Sequence, residues 1–170
     1  MVAEKRNFMN CYESARRVSI ELTKRGQKMA AAESCTGGQI AHIATSVVGA
    51  SKWFDVGFVT YSNEAKISAL GVSSKTLSNH TAVSKETVVE MLDGVFKHSC
   101  ADYALAVTGV AGPSGGTLDT PVGLVFIGLQ KRNERVKIYR LRVALDRYSL
   151  QSFVSKFAYD RLFERIVSTN

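Results

Sequence analysis

Histidine and cysteine are scarce in this 170-residue sequence, with three of each, and neither set is arranged for chemistry. Cys11, Cys35 and Cys100 make an odd number with no CxxC pair and no Cys/His ligand spacing, which argues against a disulfide framework and a structural zinc and predicts reduced thiols. No two of His42, His80 and His98 stand at metal-ligand spacing and the carboxylates do not cluster with them, so no metal site is expected. A Ser-His-Asp hydrolase is disfavoured as well, because His42 falls inside a predicted helix, His98 at a helix end, and no GxSxG elbow occurs. The Walker spacing and the GxGxxG fingerprint are missing, which speaks against nucleotide hydrolysis and hydride transfer. Long apolar runs are also absent. The N-terminal stretch MVAEKRNFMNCYESARR is broken by charge every few residues, so the sequence predicts no signal peptide and no membrane span, and a soluble, cytoplasmic protein.

What is present is a 45% hydrophobic chain, long enough for a sizeable core and short enough to predict one domain over residues 1–170. The net charge of +7 is uneven: residues 1–28 carry +4, residues 29–129 carry −3 and residues 130–170 carry +6. The basic excess sits on segments that read as an amphipathic first helix, a hairpin and a last helix. No aromatic-basic stripe accompanies it, so solvated faces are expected rather than a nucleic-acid partner.

Residues 11–25 have helical spacing and stop at Gly26. KMAAAE at 28–33 reads as a strand, and QIAHIATSVV puts Ile40, Ile43, Ala44 and Val47 on one helical face, ending at Gly49-Ala50-Ser51. WFDVGFVTY is rich in strand-favouring residues, and a short helix starts near Asn63, capped by Ser62 or Asn63 and ended by Gly71. Residues 84–98 form an amphipathic helix with Ser84 as cap. YALAVTG at 103–109 has the continuous apolar character of a central strand. VGLVFIGLQ and RVKIYRLRVAL flank a turn at 131–134, and residues 147–167 are helical in period. The alternation predicts a three-layer α/β/α sandwich with a mixed β-sheet.

Three polar or glycine-rich clusters follow predicted strands: AESCTGG at 32–38, TYSNEAK at 60–66 and TGVAGPSGGT at 108–117. Ligands in open α/β sheets bind outside the carboxyl ends of strands, so these clusters are placed to converge. The helix after Gly38 would present free N–H groups and a positive dipole end beside Ser34 and Thr36, an anion or oxyanion site. With histidine scarce, a lysine whose neutral form persists is the alternative base for a serine, and Lys66 is the only lysine within a cluster. The bland readings stand beside these: glycines that only turn the chain, a solvated Lys66, a half-buried Tyr61. Cys35 is read either as a competing nucleophile at a helix N-terminus or as a small buried filler.

AAESCTGG, VGFVTYSNEAKISALGV, HTAVSKETV and AVTGVAGPSGGT followed by PVGLVFIGL resemble, in order and from about residue 8 to about residue 165, the C-terminal domain of the competence/damage-inducible CinA proteins. That domain also occurs alone as bacterial nicotinamide-nucleotide amidohydrolase. The resemblance implies metal-independent, cofactor-free hydrolysis of the carboxamide of nicotinamide mononucleotide, a small nucleotide substrate and a homodimer. It places the family's catalytic serine, tyrosine and lysine on Ser34, Tyr61 and Lys66, with Lys66, assisted by Tyr61, taking the Ser34 proton, and backbone N–H groups near Cys35 to Gly38 holding the oxyanion. Thr36, Gly37, Gly38, Asn63, Thr108, Gly109, Gly112, Gly115 and Gly116 match motif positions expected, with Cys35, to shape the nucleotide pocket. The sequence departs from the family's pattern at Thr81, where glycine is usual, and at Leu145 and Gln151, where a glycine and an arginine are common. Two rival functions stay open from the sequence: a non-enzymatic nucleotide-sensing or partner-binding module, and a serine–lysine amidase or esterase of another small substrate.

Overall fold

Strand alternation assigns the buried residues of the central strands to one of two cores in the computed structural model, which describes residues 2–168. The elements are α1 (Val2–Arg25), β1 (Met29–Glu33), α2 (Gln39–Ser46), β2 (Phe54–Val59), α3 (Asn63–Leu70), α4 (Ser74–His80), α5 (Lys85–Lys97), β3 (Tyr103–Gly109), β4 (Leu124–Lys131), β5 (Lys137–Arg142) and α6 (Arg147–Val167). The strands form one sheet in the order β2-β1-β3-β4-β5. β1 is parallel to both β2 and β3, while β3–β4 and β4–β5 are antiparallel. The three-layer, mixed-sheet architecture is the one expected from the sequence.

Met29 and Ala31 of β1, Tyr103, Leu105 and Val107 of β3, and Val125, Ile127 and Leu129 of β4 join one core with residues of α1, α2 and α6. Their neighbours Ala30, Ala32, Ala104 and Ala106 join the other, under α5. The second face is built of small side chains, so its helices lie close. A Cβ on Gly128 would stand 2.3 Å from Val88 Cγ1, and one on Gly94 of α5 would stand 2.3 Å from the Leu70 carbonyl of α3. The end of α3 is thereby pressed against α5, which fixes the helix that carries Lys66.

Three local features differ from the sequence reading. α1 begins at Val2 rather than near residue 11. The Gly49-Ala50-Ser51 break is a 3-10 turn over Ala50–Lys52. α4 has no counterpart among the predicted elements: only Leu77 of it is buried, so no apolar period marks it, and it is capped by Ser73 and held to α5 through Glu90. Much of the basic excess is engaged within the chain, with Arg17 on the Phe163 ring, Arg132 on the Phe96 ring, Lys156 on Asp160 and Arg165 on Glu134. Among the described residues no helix is long and apolar enough to cross a membrane.

Candidate active site

The parallel strands β1, β2 and β3 end side by side, and the chain leaving each one contributes a wall of a single cleft of about 380 Å³. Ser34 follows β1 directly, its N–H donating to Val107 O of β3 at 3.0 Å. After β2 the chain turns into α3, whose cap is the Ser62 side chain accepting from Ala65 N at 3.0 Å. That cap sets Lys66 on the first turn, facing back across the sheet edge.

Lys66 is 1% exposed. Its Nζ reaches Ser34 Oγ at 3.1 Å, Thr60 O at 2.8 Å and Tyr61 O at 3.4 Å. No carboxylate pairs with it among the described residues. Burial without a counter-ion pushes the amine below its ordinary 10.5, because desolvation penalises the charged form. Ser34 is itself 7% exposed and lines the cleft.

Glu33, one residue before the serine, is the feature that sequence reasoning missed. It is fully buried, and its carboxylate accepts from Gly38 N at 3.1 Å, Ile40 N at 3.0 Å and Ala41 N at 2.8 Å. The protein's own carboxylate thus occupies the positive end of α2. This corrects the expectation of an open anion site there: Gly38 N is committed to Glu33 and Gly37 N to Ser34 O at 3.0 Å. The missed signal was an acid placed just before a Gly-Gly turn into a helix, where carboxylates favour the first turn.

Of the other expected residues, Cys35, Tyr61, Thr108, Gly109 and Gly115 line the cleft with Ser34 and Lys66, whereas Thr36, Gly37, Gly38, Asn63, Gly112 and Gly116 do not. A Cβ at Gly112 or Gly116 would run into Val122, at 2.5 Å and 2.7 Å, so both serve the packing of their loop. Cys35 is buried and its thiol is pushed up to about 12 by desolvation, which supports the buried filler over the competing nucleophile. Thr108 Oγ1 donates to Ala82 O at 2.8 Å, tying β3 to the Ala82–Val83 wall. Arg147, at the start of α6, and Ser114 also face the cleft. Gln151 Nε2 donates to Cys35 O at 2.9 Å and so braces the loop behind the serine. Among the described residues no group of three or more His, Cys, Asp or Glu side chains could hold a metal ion.

A buried amine in contact with a serine hydroxyl, in a cleft at the carboxyl edge of parallel strands, defines a three-layer α/β/α protein with a serine–lysine pair. Comparison with known proteins places it more closely: the chain belongs to the CinA C-terminal domain family, whose profile matches residues 12–166. It is 40% identical over 146 residues to the nicotinamide-nucleotide amidohydrolase PncC of Escherichia coli, covering 86% of this chain and 88% of that one. The CinA-like protein of Kosmotoga olearia is 45% identical over 139 residues, 82% of this chain but 34% of that protein. The chain spans 34% to 36% of the length of the longer relatives of this kind. Among solved structures, the competence damage-inducible protein A (ComA) of Klebsiella pneumoniae superposes with a TM-score of 0.90 at 34% identity, covering 94% of this chain and 99% of that one. The competence/damage inducible protein CihA of Agrobacterium tumefaciens gives 0.88 at 40% identity over 91% and 94%.

Proposed function

We propose that this chain is a serine–lysine amidohydrolase that converts nicotinamide mononucleotide and water to nicotinate mononucleotide and ammonia. The observation that carries the reading is the Lys66–Ser34 contact at 3.1 Å, made by a buried amine with no counter-ion among the described residues. A neutral amine has two N–H bonds and one lone pair. Thr60 O and Tyr61 O accept the first two, which leaves the lone pair directed at the Ser34 hydroxyl. The name and near full-length match of the E. coli PncC support the substrate class.

In this reading Ser34 Oγ attacks the carboxamide carbon as its proton passes to Lys66 Nζ. The oxyanion is met by the amide of Cys35, which lines the cleft and has no acceptor among the described residues. The C–N bond then breaks, and the leaving nitrogen takes the proton held by Lys66 and departs as ammonia. Water, deprotonated by the same amine, cleaves the acyl-serine, freeing the nicotinate carboxylate and restoring Ser34. Tyr61 assists Lys66 through its main-chain carbonyl. Arg147 supplies the cleft with a fixed positive charge suited to a phosphate.

The test is ammonia release from nicotinamide mononucleotide in chelator-treated buffer. Wild-type protein turns over and Ser34→Ala loses at least about a thousandfold in kcat. Full activity in Ser34→Ala overturns the mechanism, and tight binding without turnover in the wild type identifies a sensing module instead.

A further inference from the structure

Tyr61 lines the cleft with 63% of its surface still exposed, and among the described residues it is the only aromatic one there. A phenol that moved protons for Lys66 or Ser34 would stand within hydrogen-bond reach of one of them. Among the described residues this one makes no side-chain hydrogen bond, and Lys66 meets the residue only at its carbonyl, 3.4 Å away. Tyr61 thus stands at the cleft with most of its surface open, and its hydroxyl is bonded to nothing among the described residues.

The charges around it are one-sided. The one guanidinium at the cleft, Arg147, is cationic, the other basic side chain is the buried amine of Lys66, and among the described residues no carboxylate lines it. An N-ribosylated nicotinamide ring is flat and carries a formal positive charge on its nitrogen, so no ion-pair partner awaits it here. The electron-rich face of a tyrosine attracts such a cation within about 6 Å of the ring centre, and it stacks on a flat heterocycle at the same time.

We propose that the Tyr61 ring is the platform on which the pyridinium ring of the substrate lies, making Tyr61 a specificity-determining residue through its face rather than a catalytic residue through its hydroxyl. This rests on the nicotinamide-nucleotide reading above. Recognition then depends on a planar cationic ring, and an amide on an aliphatic or uncharged scaffold is held poorly.

Two substitutions separate face from hydroxyl. Tyr61→Phe keeps the face and shifts KM and kcat for nicotinamide mononucleotide by no more than about threefold, whereas Tyr61→Leu raises KM about tenfold with a much smaller change in kcat. A hundredfold fall of kcat in Tyr61→Phe overturns the proposal by returning the phenol to the chemistry. Unchanged KM in Tyr61→Leu overturns it by removing the ring from the substrate. Calorimetric binding of the same nucleotide to the Ser34→Ala protein, with and without Tyr61→Leu, gives a readout independent of turnover. A tenfold weaker Kd in the double variant supports the platform even if the wild type releases no ammonia, in which case only the proposed reaction fails. Equal Kd values, or no binding by the Ser34→Ala protein, overturn the platform.

Discussion

Two walls of the cleft hold a fully buried ionisable side chain each, and they treat it in opposite ways. On the β1–α2 wall, Glu33 is 0% exposed and its two carboxylate oxygens meet three backbone N–H groups at the positive end of a helix. On the β2–α3 wall, Lys66 is 1% exposed and meets two carbonyls and a hydroxyl, with no anion paired to it among the described residues. The first arrangement matches a charge and fastens a loop. The second leaves a charge unmatched, which pushes the amine below its ordinary 10.5 and favours its neutral form, the form able to act as the base proposed for Ser34. Burial alone does not distinguish a structural ion from a reactive group; the partners do.

Exchanging each side chain for its nearest uncharged counterpart breaks the comparison most sharply. Lys66→Met removes the base but fills the same space with apolar atoms. We expect kcat to fall about a thousandfold while the melting temperature holds or rises, since no buried amine then needs accommodating. Glu33→Gln should do the reverse. It sets an NH2 group against amide donors and discards the charge that faces the helix end, costing about 3 kcal/mol of stability. Ammonia release well below the melting point persists in that variant. Parallel melting curves and kinetic assays of the two proteins decide it. A Lys66→Met protein that is both active and destabilised would make Lys66 the fastening group instead.

The pH dependence separates the walls more finely. The Lys66 amine titrates below its ordinary 10.5 in the folded protein, so between the folded value and 10.5 the unfolded chain binds a proton that the native protein does not. Stability attributable to this residue therefore rises with pH through that window and is lost as pH falls through the folded value, by about 1.4 kcal/mol for each pH unit that the window spans. Lys66→Met lacks this slope. With Lys66 as the proposed base, the same titration governs catalysis: kcat/KM should climb with pH as the amine loses its proton, with a midpoint below 10.5, and then level off. A profile that keeps climbing to 10.5 would show an amine no different from a solvated one.

The contrast between the walls also explains what was legible in the sequence. Elements with a strong apolar period or a clear stop were readable: α5 with Ser84 as its cap, β3 as the central strand, α6 over residues 147–167. α4 was not, because its seven residues bury only Leu77 and its support comes from Glu90, a contact distant in sequence. At the cleft, local pattern put Ser34, Tyr61 and Lys66 in clusters that follow predicted strands, the family resemblance singled out the three, and the structure brings Ser34 and Lys66 into contact. The role of Glu33 was hidden, since its partners are backbone N–H groups that exist only once Gly37 and Gly38 turn the chain into α2. Arg147 and the Ala82–Val83 wall were hidden for a different reason: tertiary packing, not local pattern, carries them to the cleft.

The smallest expected effect tests the backbone around the cleft rather than its charges. The first wall takes its left-handed turns on glycine, Gly37 at φ 64° and Gly38 at φ 93°. The segment after α4 that brings Ala82 and Val83 to the cleft takes one on Thr81, at φ 64° and ψ 169°, a region that residues other than glycine occupy at a cost of about 1–3 kcal/mol. What holds Thr81 there is the cap of α5: its carbonyl accepts from Ser84 Oγ at 3.1 Å and Thr87 Oγ1 at 2.8 Å. Its own Oγ1 accepts from Val83 N at 3.3 Å. Thr81→Gly releases the strain, gives up that long hydrogen bond and frees the unfolded chain by about 0.5–1 kcal/mol. The strain term is the larger, so the variant should gain about 1 kcal/mol and melt about 2–4 °C higher. A lower melting temperature would mean that the α4–α5 turn is as relaxed as the glycine turn before α2, and that the side-chain bond at Thr81 outweighs its backbone.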